Sequence, residues 1–84
     1  MATEKKSRPL YEIAAEIDGK WSKIGKGVNF AARPYLSAMF RLDSIHDNFG
    51  LDSAQEIVRR FLANASTFRG PDAQRLKAEL KDML

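Results

Sequence analysis

Asp43, His46 and Asp47 come closest in this chain to residues spaced for chemistry. On a helix, steps of three and four set an imidazole and two carboxylates on one face. Such a face can hold a metal ion or move a proton. The set lacks its remaining members, because His46 is the sole histidine and there is no cysteine. Polar residues that cap a helix end and face water explain the same spacing. Ser44, Ser53, Ser66 and Thr67 offer hydroxyls, but none stands in a nucleophile-elbow pattern. Ser53 is fully explained as a helix cap. An EF-hand loop is excluded too: with Gly50 at its sixth position, Ile45 and Phe49 fall where oxygen ligands belong. The expectation is a non-enzymatic protein with no catalytic residues, no cofactor and no metal.

A second constellation is electrostatic. The chain of 84 residues carries a net charge of +3, and the charge is uneven. Residues 1–41 hold eight Lys/Arg and four Asp/Glu, whereas residues 42–84 hold six and seven. No acid lies between Asp18 and Asp43, where Lys20, Lys23, Lys26, Arg33 and Arg41 all fall. Trp21, Phe30 and Tyr35 are interleaved with them. Cations for phosphate and flat rings for bases are what a nucleic-acid groove needs. Gly25 and Gly27 would let the backbone approach a phosphate. Against that, Gly25-Lys26-Gly27 has neither P-loop spacing nor a strand before it, and Trp21 is in phase with an apolar stripe that reads as core. Lys20, Lys23, Lys26, Arg33 and Arg41 stand as the candidate surface for a partner or, as the alternative, for nucleic acid.

These residues must be positioned by helices. Residues 1–8 are polar, without periodicity, and read as a flexible tail before a single helical domain at 9–84. Leu10, Ile13, Ala14, Ile17, Trp21 and Ile24 recur at three- and four-residue steps and predict a helix over 9–23. Gly19 weakens it by about 1 kcal/mol. Gly25 and Gly27 break the pattern, with Val28 and Phe30 expected to be buried beneath the loop. Asn29 suits the cap of a short turn at Phe30–Arg33, and Pro34 the first position of a second helix ending near Asn48 or, given the acids in its last turns, nearer Asp43. Gly50 reads as its left-handed stop. Asp52 with Gln55, or Ser53 with Glu56, caps a third helix. Its apolar residues Ala54, Ile57, Val58, Phe61, Leu62 and Ala65 make it the central packing element. Pro71 or Asp72 opens a fourth helix. No β alternation is seen.

The fourth helix carries Leu76, Leu80 and Met83, with Leu84 beside them. Packing onto the first and third helices explains the stripe. Its spacing also suits a partner or self-association seam, because small cores often complete themselves by oligomerising. A helix-turn-helix reading of the second and third helices would expose Gln55, Arg59 and Arg60, but Glu56 opposes phosphate and the third helix reads as core.

The segments Pro34–Met39, Gly50–Ala54, Ile57-Val58, Phe61–Ser66, Phe68–Gly70 and Leu76–Leu80 resemble small uncharacterised helical proteins of actinobacterial phages and prophages. The similarity spans roughly Leu10 to Leu84 and contains no catalytic motif. It implies a phage-type accessory protein in the host cytoplasm that binds a host protein and modulates it, in some cases with toxic effect. The fold expected from the residues is all-α, a compact orthogonal bundle of four short helices. No apolar run is long enough to span a bilayer, so no membrane partner is expected.

Overall fold

The structure, a computed structural model, describes residues 8–25 and 27–84. Those residues are mostly helical: α1 is Leu10–Trp21, α2 Arg33–Met39, α3 Ala54–Ala63 and α4 Pro71–Met83. A 3-10 turn, Phe30–Ala32, precedes α2. Two strands, β1 at Asn48–Phe49 and β2 at Asp52–Ser53, pair antiparallel with Asn48 opposite Ser53 and Phe49 opposite Asp52. Helix α2 packs on α3, and α1 packs on both α2 and α4. No helix among the described residues is long and apolar enough to cross a membrane.

Helix α1 buries the stripe read from its spacing: Leu10, Ile13, Ala14, Ile17 and Trp21. Pro9 is its N-cap, one residue outside the helix. Trp21 ends the helix inside the core. Its indole stacks on Phe68 at 5.1 Å between centroids and meets Phe61 edge-on at 6.0 Å. The indole Nε1 is buried with no acceptor among the described residues. That costs about 1–3 kcal/mol, which the surrounding ring contacts must offset.

Helix α2 is much shorter than its apolar pattern predicts. After Met39 the backbone tightens, with Arg41 N–H donating to Ala38 O and Leu42 N–H to Met39 O. The carbonyls of Leu42 and Asp43 then accept the N–H groups of Tyr11 and Leu10, each at 2.9 Å. These first-turn donors have no partner within their own helix. A continued α2 would commit the same carbonyls to N–H groups four residues further on, so the end of α2 frees the acceptors that start α1.

The four expected helices form, and the β-hairpin adds a two-stranded sheet that the all-α reading lacked. Strands of two residues carry no alternation to detect. Gly50 does adopt the left-handed region, at φ +64°, but inside the hairpin turn rather than at a helix stop. Leu51 beside it is wholly exposed. The hairpin delivers Ser53 to the N-cap of α3, where its Oγ accepts the Glu56 N–H at 3.1 Å. That settles the cap on Ser53, not Asp52. The Glu56 carboxylate turns outward to Arg60 at 2.8 Å.

Arg8, assigned to the tail, is pinned. Its guanidinium donates to Glu79 at 2.9 and 2.7 Å and to Glu16 at 2.9 Å. Glu16 also receives Arg75 of α4. Arg75, then Arg8, hold the Glu16 carboxyl below its usual range, and Glu79 above all raises Arg8. The rest of the expected tail lies outside the described residues.

The fourth-helix seam is corrected as well. Leu76 and Leu80 are fully buried in the monomer, and Met83 packs half-buried against the same core. Only Leu84, 42% exposed, remains outside. Leu80→Ala should cost about 2–5 kcal/mol in chemical denaturation. Because the site lies within one chain, the wild-type melting temperature should not change with protein concentration; a rise with concentration would restore an interface. Gly19 lies inside α1, and a Cβ there would meet nothing within 4 Å. Gly19→Ala should therefore stabilise the protein by about 0.5–1 kcal/mol, seen as a higher denaturant midpoint. An unchanged or lowered midpoint would contradict this.

Candidate interaction surface around the glycine loop

The chain leaves α1 through Ser22 and Lys23 and turns at Gly25 and Gly27, whose φ angles of +52° and +84° favour glycine. Asn29 fixes the far side of this loop. Its Oδ1 accepts the Ala31 N–H and its Nδ2 donates to Asn64 O at the end of α3, both at 3.2 Å. One side chain thus caps the 3-10 turn and ties it to another helix.

Phe30 opens that turn and is 85% exposed, not buried as its apolar character predicts. A 3-10 turn has three residues per turn, so its side chains leave in three directions. Ala32 takes the inward one. Val28 is half-buried against the core, partly as expected. Only the three-residue spacing between the Asn29 cap and Ala32 could have signalled the outward Phe30.

Two clefts flank the loop. One, of about 430 Å³, is lined by Ile24, Gly25, Gly27, Val28, Asn29, Phe30 and Thr67. The other, of about 350 Å³, is lined by Asp18, Ser22, Gly27, Val28, Arg33, Leu36, Ser37 and Phe40. The first wall is chiefly apolar; the second sets Arg33 and Asp18 around Leu36 and the part-exposed Phe40.

The predicted cations separate into two groups. Lys20 is paired with Asp72 of α4 at 3.5 Å and serves the helix contact. Lys23, Arg33 and Arg41 are exposed and make no ion pair with the described residues. Lys26 lies outside the described residues. Trp21, buried in the core, is not a ring for stacking on a base. A cationic feature not foreseen lies on α4, where Lys77 Nζ stands 5.8 Å over the Phe68 ring. Burial, then the charges of Lys81 and Arg69, lower its pKa.

The Asp43, His46, Asp47 set is not on a helix. Residues 43–47 form the bend after α2, and the Asp47 carboxylate accepts the N–H groups of Ser44 and Asp43, each at 3.0 Å. Ser44 Oγ accepts the His46 backbone N–H at 3.0 Å. These side chains hold a turn. Among the described residues no group of three or more His, Cys, Asp or Glu is placed to hold a metal. The helix-turn-helix geometry fails too: α2 and α3 are separated by this bend and the hairpin, where the motif has a turn of about three to four residues.

No protein-family model, curated protein or solved structure matches this chain.

The two backbone donors, Ser44 first, hold the Asp47 carboxyl below the ordinary aspartate range. A depressed carboxyl stabilises the fold above its unfolded pKa, and the contribution is lost as pH falls through the folded value. An NMR titration should therefore find Asp47 titrating below the ordinary aspartate range, and Asp47→Asn should speed amide exchange at Asp43 and Ser44. An Asp47 carboxyl that titrates like a free aspartate would sink this account.

Proposed function

We propose that this chain is a non-enzymatic binding module whose contact surface is Phe30 with its two flanking clefts. The observation that carries the reading is the exposure of Phe30 on a turn pinned from both sides by Asn29. An aromatic ring held in water gains nothing for the monomer, whereas rings on rigid supports are common anchors of protein interfaces. Following the resemblance described above, we assign the partner to the host of a phage-type protein, which the chain modulates in the host cytoplasm. The resemblance alone supports that origin.

One observation favours a second reading. Phe30, Lys23 and Arg33 together offer an exposed ring and exposed cations that make no ion pair with the described residues, as a single-stranded nucleic acid requires. We rank it second because the cleft beside Phe30 is walled by Ile24 and Val28, which suit an aliphatic or aromatic side chain.

Phe30→Ala discriminates. With so exposed a ring, stability should stay within about 0.5 kcal/mol of wild type. Recovery of a specific partner from host lysate, quantified by mass spectrometry, should fall about tenfold or more. Undiminished recovery by the variant would refute the surface. A mobility shift of single-stranded DNA at low salt that Phe30→Ala abolishes would move the assignment to nucleic acid.

A further inference from the structure

Building on the protein-binding reading, we infer that the Phe30 surface takes an acidic polypeptide segment carrying one large apolar side chain. Shape and charge carry this together. The cleft of about 430 Å³ beside Phe30 is walled by Ile24 and Val28, so it is suited to an apolar side chain. Lys23, next to the lining residue Ile24 in the chain, and Arg33, on the wall of the second cleft, are exposed and make no ion pair with the described residues. Asp18 is the one carboxylate on the wall of either cleft. Along the sequence, no further acid occurs until Asp43.

The same charges argue against a second copy as occupant. A two-fold interface places the same patch on both sides. It would set the Lys23 and Arg33 patch against the same patch of the second copy, and like charges across an interface suppress pairing. An acidic partner meets the rim with opposite charge, gaining rate and register. The apolar residue beside Phe30 supplies most of the affinity.

A random-peptide display selection on the folded full chain tests this, with the enriched peptides then synthesised as fluorescent probes. The enriched pool should be net acidic, with a Leu, Ile, Phe or Trp in each binder. Phe30→Ala should weaken these probes about thirtyfold. The double variant Lys23→Glu, Arg33→Glu should weaken them further than Lys23→Gln, Arg33→Gln. Affinity should fall between about 0.01 and about 0.15 M salt, where the Debye length contracts from ~30 to ~8 Å. A Phe30-dependent pool that is neutral or basic overturns the acidic partner and leaves the binding reading standing. No enriched pool, or a pool indifferent to Phe30, overturns the binding reading as well. A Phe30-dependent dimer in sedimentation gives the surface to a second copy and overturns the inference.

Discussion

The bend at residues 42–47 serves two helices at once, and the rest of the fold depends on it. The carbonyls of Leu42 and Asp43 receive the first amides of α1, and the Asp47 carbonyl receives the Ala54 N–H that opens α3. Helix starts lack internal acceptors, so a connection able to supply both is constrained in shape. The Asp47 carboxylate fixes that shape by holding the amides of Asp43 and Ser44. The bend locks the start of α1 beside the end of α2, and the hairpin after it sets the cap of α3. Two polar side chains that look reactive in sequence, Asp47 and Ser44, are engaged here as acceptors of backbone N–H groups.

The position of Phe30 follows from the other end of the same scaffold. Trp21 closes α1 by stacking on Phe68, which comes from the segment before α4. The chain must then leave the core and return as α2, and the left-handed glycines allow it to do so within a few residues. Asn29 stitches the returning strand of this loop to the end of α3. With Ala32 filling the inward position, Phe30 has no core site left. Its exposure is thus a consequence of the scaffold, held in place by hydrogen bonds on both faces of one asparagine.

Regular packing was legible in the sequence; the places where one element serves another were not. The α1 stripe from Leu10 to Trp21 is buried residue for residue as its spacing predicts, and so are Ala54, Ile57, Val58 and Phe61 of α3. The Asn29 cap was also visible, because capping needs only a side chain and the next few amides. Helix α2 was misjudged because Leu42 and Ile45 continue an apolar phase, yet the carbonyls of residues 42 and 43 are claimed by a helix more than thirty residues earlier. No local pattern reports such a bond. Arg8 was misread for the same reason, since its carboxylate partner Glu79 is 71 residues away.

The charges show how structural and uncommitted groups can be told apart. In sequence, Lys20 and Lys23 look alike. In space, Lys20 faces Asp72 and Lys23 faces water. Arg8 and Arg75 meet on Glu16, Arg8 also clamps Glu79, and Arg60 rides on Glu56. Exposed pairs of this kind contribute little each, but they engage Glu16, Glu56, Asp72 and Glu79 of the helices and neither Lys23 nor Arg33. Among the described residues Lys23 and Arg33 make no ion pair, and Asp18 is the one carboxylate that shares a cleft with Arg33. Exposed cations without a carboxylate partner are the ones left free to steer an oppositely charged group.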